Sequence, residues 1–174
     1  MRLVFGHDLK VAEWVAKQIK LHHYDPCTAI GIERKGTIIG GCIYNNFRTD
    51  TYGNPLSIEM SFATIDKRWA TRGIIASLFA YPFSQLCLKR VQLTIAKRNK
   101  GVRRFVERLG FKLEGIARKA YCDGSDSAIY SMLRHECKWI GEPLGQINTF
   151  SASSSGPQRN FGGTNQIEPT NSAL

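Results

Sequence analysis

The densest run of chemistry-bearing side chains lies between Lys97 and Lys119. Nine lysines and arginines face two glutamates there, a net charge of +7 in 23 positions. Lys100, Arg104 and Arg108 recur every fourth residue, which sets them on one face of a helix. Two readings stay open for this stripe: a seat for phosphate groups, such as those of nucleic acid, or a solvated basic face. Metal chemistry finds little support, because His22, His23 and Cys27, with His135 and Cys137 far away, match no zinc-ligand spacing. The five cysteines (27, 42, 87, 122 and 137) are odd in number and irregularly spaced. They read as free structural thiols of a reducing compartment; neither Cys122 nor Cys137 has a neighbouring base to make it a nucleophile.

The whole chain has 174 residues with 24 Lys plus Arg against 14 Asp plus Glu, a net charge of +10. A composition 43% hydrophobic and 10% aromatic can build one sizeable core. No run of about 18 apolar residues is present, so no membrane insertion is expected. Met1 to Lys10 is charged and lacks the apolar stretch of a secretory leader, so a cytoplasmic location is expected. The composition changes at residue 147. The segment 147–174 holds one Arg, one Glu and no Lys among Ser, Gly, Asn and Thr. It reads as a flexible polar tail with Phe150 and Phe161 as anchors for a protein partner, behind a folded domain of residues 1–146.

The elements that must hold these residues follow from periodicity. Leu3 to Phe5 is a short strand, and Asp8 caps a helix reaching Leu21, with Val11, Trp14, Val15 and Ile19 on one face. Strands over 28–33 and 37–44 are joined at Arg34-Lys35-Gly36. Ser57 to Thr64 alternates, with Ile58, Met60 and Phe62 on one side and Glu59, Ser61 and Ala63 on the other. A helix from Arg72 to Leu86 must kink or end early at Pro82. Arg90 to Lys97 is a strand. Lys100 to Leu109 is a helix with Val102, Phe105, Val106 and Leu109 inward, capped by Asn99 and stopped by Gly110. Strands over 112–121 and 127–134 complete the order β-α-β-β-β-α-β-α-β-β.

From Glu59 to Trp139 the sequence resembles the GNAT superfamily of acyl-CoA-dependent N-acetyltransferases. The resemblance is carried by Asn99-Lys-Gly-Val-Arg-Arg-Phe-Val-Glu-Arg-Leu-Gly-Phe111 with Glu114-Gly115 and Arg118, and by Asp126 with Tyr130-Ser-Met-Leu133. The wording around Trp69-Ala-Thr-Arg-Gly-Ile74, Tyr81-Pro-Phe83 and Arg108-Leu-Gly-Phe111 is similar to GNAT-like proteins of bacteriophages, which would make the protein virion-associated or host-cytoplasmic. The resemblance implies an α+β fold, a mixed and mostly antiparallel sheet with helices on both faces, splayed between the fourth and fifth strands to admit acetyl-CoA.

It also implies a site. Glu59 is the base that takes a proton from the acceptor amine, and Tyr121 or Tyr130 replaces the family's acid tyrosine, whose place Val106 occupies. Phe62, Ala63 and Thr64 pair with the pantetheine arm. Arg68, Arg72, Gly73 and Ile74 hold the pyrophosphate at a helix N-terminus, while Asn99 and Arg103 meet the rest of the cofactor. Only Gly73 survives of the three key loop positions, since Ala70 and Ile75 replace the others. Ile75 is expected to crowd the phosphate. The implied activity is acetyl transfer to an amine of a protein or small molecule. A weakened GNAT domain serving as a binding module, and nucleic-acid modification through the 97–119 stripe, are the alternatives.

Overall fold

Seven strands form one sheet in the order β1-β2-β3-β4-β5-β7-β6 in the computed structural model, which describes residues 1–20 and 27–141. The strands are β1 (Arg2–Val4), β2 (Thr28–Arg34), β3 (Thr37–Thr49), β4 (Pro55–Thr64), β5 (Arg90–Ala96), β6 (Lys112–Ala117) and β7 (Ser127–Leu133). All neighbours are antiparallel except β4 and β5. The helices are α1 (Asp8–Ile19), α2 (Arg72–Ala80) and α3 (Lys100–Leu109). The element order and the mixed sheet match the sequence reading. His22 to Pro26 and the tail 147–174 lie outside the described residues.

Side-chain alternation divides the core into two layers. Ile58 and Met60 of β4 join Val91, Leu93 and Ile95 of β5 and Ala128, Tyr130 and Met132 of β7 in the larger cluster, under α2 and α3. Ala63 and Ile43 face the other way, against Val11, Ala12 and Val15 of α1. That helix lies close to the strands because Gly31 and Gly41 are cross-strand partners beneath it. A Cβ built on Gly41 would stand 2.8 Å from a Val11 methyl and 2.9 Å from a Val15 methyl.

Several boundaries differ from expectation, each for a physical reason. Asp8 is the first helical residue, with His7 at the cap position. Its Oδ1 accepts the Ala29 N–H at 2.7 Å, which ties the start of α1 to β2. The helix expected over 72–86 stops at Ala80, and Tyr81–Gln85 forms a π-helical turn around Pro82. β6 ends at Ala117, because Lys119 takes a left-handed conformation (φ 50°) and its N–H bonds to Asp126. Tyr121 therefore sits on the β6–β7 turn and not on a strand. α3 and its stop at Gly110 (φ 114°) match the reading. Val102, expected inward, is 42% exposed.

Candidate active site

β4 and β5 pair only through Ser57–Arg90, Ile58–Val91 and Glu59–Gln92, then part. Hydrogen bonds at both ends fix which main-chain groups face the gap. Ile65 donates to the Ile39 carbonyl on the β3 side, and Lys89 donates to the Leu56 carbonyl on the β5 side. Because main-chain groups alternate along a strand, odd residues of β4 bond to β3 and even residues face β5. Past the last rung, Phe62 and Thr64 thus aim N–H and C=O into the gap. Ala63, expected among the pairing residues, spends its main chain on Gly41. Phe62 closes the inner wall by packing against Trp69 at 4.2 Å between ring centres, and Trp69 meets Phe105 of α3 at 5.8 Å.

The connection leaving β4 delivers the N-terminus of α2. Thr71 is its N-cap, and its Oγ1 accepts the Ile74 N–H at 3.4 Å. Capping consumes that donor and leaves the Arg72 and Gly73 N–H groups at the positive end of the helix dipole. A Cβ on Gly73 would meet nothing within 4 Å. Gly73, Ile74 and Ser77 line one wall of a cleft of about 460 Å³ whose other wall is Arg2 and Leu3. Ile75 does not crowd this cleft. It is 5% exposed and buried in the larger cluster with Ile74, Leu78 and Phe79. Arg68 is held by Asp66 through two side-chain bonds of 3.0 Å, and Arg34 reaches the same carboxylate. The bonds from Arg68 hold the Asp66 carboxyl well below its usual range. Arg72 is exposed and has no carboxylate partner among the described residues.

Glu59 lies at the fork of the two strands, half-buried, on the face carrying α1. Asn46 donates to its Oε2 at 2.7 Å, from a left-handed residue (φ 51°) at the β3 irregularity. Asn45, directly opposite Glu59, has a buried Oδ1 without a hydrogen-bond partner among the described residues. Tyr121 is 37% exposed. Burial raises its pKa, Ser127 and Arg98 draw it down, and the charges of Glu59 and Asp123 push it up again. Glu59 and Tyr121 are therefore in electrostatic reach of each other.

The other sequence candidates are placed elsewhere. Tyr130 faces α3, where its hydroxyl donates to Glu107 at 2.6 Å and accepts from Arg103 Nε at 3.0 Å. Burial and the Glu107 bond raise its pKa. Arg103 also donates to the Lys97 carbonyl at 3.2 Å. Both side chains thus fasten α3 to the sheet, on the opposite face from Glu59. Asn99 caps α3 by accepting the Val102 N–H at 3.2 Å. In the basic stripe, Lys97 pairs with Asp126, Arg98 with Asp123 and Lys112 with Glu136. Lys100, Arg104 and Arg108 stay exposed, with no carboxylate partner among the described residues. All five cysteines are free, and burial pushes the Cys42 thiol far up.

Sequence reasoning passed over Thr71 and Asn46. Thr71 was legible as a hydroxyl residue directly ahead of an apolar helix. Asn46 carried no signal beyond asparagine's tolerance of a positive φ.

Comparison with known proteins extends this geometry. A family model described as an acetyltransferase (GNAT) domain matches residues 5–127. No curated protein matches the chain. Among solved structures, a chimera of spermidine N-acetyltransferase SpeG from Vibrio cholerae and hSSAT superposes with a TM-score of 0.61 at 14% identity, over 78% of this chain and 98% of that one. Ribosomal-protein-alanine N-acetyltransferase from Brucella melitensis gives 0.57 at 13% identity, over 76% and 99%. An acetyltransferase of the GNAT family from Streptococcus pneumoniae gives 0.56 at 16% identity, over 76% and 98%.

Proposed function

The chain belongs to the acetyltransferase (GNAT) domain family, and from that premise we propose that it transfers an acetyl group from acetyl-CoA directly to an amine, with Glu59 as the base. The observation that carries this reading is the parting of β4 and β5 after Glu59–Gln92, which leaves the main chain of Phe62 and Thr64 free beside a carboxylate.

Acetyl-CoA, when bound, supplies the thioester carbonyl. The residues present fit it: strand-like groups for the pantetheine arm on Phe62 and Thr64, and open space over Gly73 with free N–H groups for the pyrophosphate. Arg72 adds positive charge at that end. Glu59, held by Asn46, takes the proton that the attacking amine sheds. The Phe62 N–H, the first free donor past the last rung, faces the developing oxygen charge. Tyr121, a phenol that is neutral at neutral pH and within electrostatic reach of Glu59, is the proton donor. Ala63, Arg68, Tyr130 and Arg103 serve the scaffold, and Asn99 orients α3.

Calorimetric titration with acetyl-CoA and with coenzyme A tests the reading. Stoichiometric micromolar binding is expected, and Gly73→Val should weaken it at least tenfold without lowering the melting temperature. A second reading, a phage virion-associated module without turnover that holds a partner through 147–174, is favoured by Val106, which is buried and has no proton to give. No heat at millimolar cofactor would select it.

A further inference from the structure

One half of the sheet carries a helix on Glu59's face and the other does not. α1 packs on β2, β3 and β4. Among the described residues no helix covers β5, β7 and β6 on that side. Thr94, in the middle of central strand β5, is exposed, although Leu93 and Ile95 beside it are buried. The surface on this side has no charge at its centre: Thr94 is exposed, Gln92 and Ile129 beside it are half-buried, Ser127 and Ser131 are buried, and Glu114 at the margin accepts from both Arg90 and Ser131. With strands about 4.8 Å apart, the three strands expose a shelf on the order of 10 Å across, wide enough for an extended chain.

The charges around this shelf discriminate between acceptors. Glu114 is paired with Arg90, Asp123 with Arg98 and Asp126 with Lys97. Glu59 alone of these carboxylates has no cationic partner among the described residues; its bond comes from neutral Asn46. Beside it, the Asn45 Oδ1 is buried with no donor among the described residues. One carboxylate and an orphaned amide oxygen match one ammonium or amine group. They do not match a polyamine, which needs a row of free carboxylates and would meet a chain of net charge +10.

We propose that the acceptor is the amino terminus of a polypeptide low in charge, laid over the β5–β7–β6 shelf with its amine seated between Asn45 Oδ1 and Glu59. This rests on the acetyltransferase reading above. It adds Asn45 as a residue that positions the acceptor and Thr94 as part of the docking surface.

The test is calorimetry on the full chain, with and without coenzyme A, using three probes: the amidated peptide Ala-Ser-Thr-Gln-Ser-Gly, its N-acetylated form and spermidine. The free peptide should bind at least tenfold more tightly than either of the others. Thr94→Trp, at an exposed site that leaves the core untouched, should weaken the peptide at least fivefold and leave coenzyme A affinity unchanged. Asn45→Leu should bring the free and acetylated peptides closer together. Spermidine binding as tightly as the peptide, equal affinity for its two forms, or no peptide binding overturns the proposal. Selective binding of the free peptide without acetyl transfer would support this seat and instead refute Glu59 as the base.

Discussion

Pro82 leaves a main-chain acceptor without its helical donor, and the fold supplies a substitute from the sheet. In a regular helix the Leu78 carbonyl would take the N–H of residue 82, but proline has none. The Tyr44 hydroxyl, from β3, donates to Leu78 O at 2.8 Å, and both residues are about 1% exposed. Tyr44→Phe keeps the ring and removes only this donor, leaving a buried carbonyl unsatisfied. The cost is about 1–3 kcal/mol. For a domain of this size that lowers the melting temperature by about 2–12 °C. Pro82→Ala restores an N–H four residues after Leu78, so in the Tyr44→Phe background it should return about 1 kcal/mol, which it does not add to the parent. Urea denaturation followed by circular dichroism measures all four proteins of the cycle. Strictly additive effects, or a Tyr44→Phe protein as stable as the parent, would refute the compensation. Because α2 also carries Thr71 and Gly73, the loosened variant should bind acetyl-CoA more weakly as well.

Three further outcomes follow from other sites. Glu59→Gln should lower kcat at least a hundredfold with an unchanged melting temperature; an unchanged rate would remove Glu59 from the chemistry. Gly41→Ala should cost about 1–3 kcal/mol, read as a lower urea midpoint, since the new methyl would meet Val11 and Val15 of α1. The Glu114 carboxyl is drawn down to about 2, first by its bond to Arg90 and then by Ser131. A depressed carboxyl pKa stabilises the fold above the unfolded value and loses that contribution as pH falls. Glu114→Gln should therefore differ from the parent most above pH ~4.5 and converge with it as pH approaches ~2, measured by thermal unfolding across pH; a constant difference would exclude the linkage.

Local patterns were legible wherever one element contains its own explanation. α3 is the clearest instance: Asn99 caps it, Gly110 ends it, and both boundaries agree with the structure. β4 showed its two faces by alternation. The parting of β4 from β5 was reached through family resemblance alone, because alternation assigns a face and not a neighbour. Long-range partners were invisible for the same reason. Nothing near Asp8 announces the Ala29 N–H, and nothing near Tyr130 announces Glu107 and Arg103. Ile75 is different. Alignment to a loop motif turns it toward phosphate, yet the spacing of Ile74, Ile75, Leu78 and Phe79 marks a core-facing stripe. Helical periodicity outweighs a motif position once the residue lies inside the helix.

The gap beyond Glu59 has an evolutionary consequence. Phe62 and Thr64 offer peptide groups there, and every residue except proline carries the same ones. Point substitutions can rewrite those side chains and leave the hydrogen-bonding pattern intact. A single-residue insertion or deletion in β3 or β4 would exchange odd for even positions and turn the offered groups toward the wrong strand. Lineages sharing this site can therefore drift far in composition, while strand lengths between Gly40 and Thr64 stay fixed.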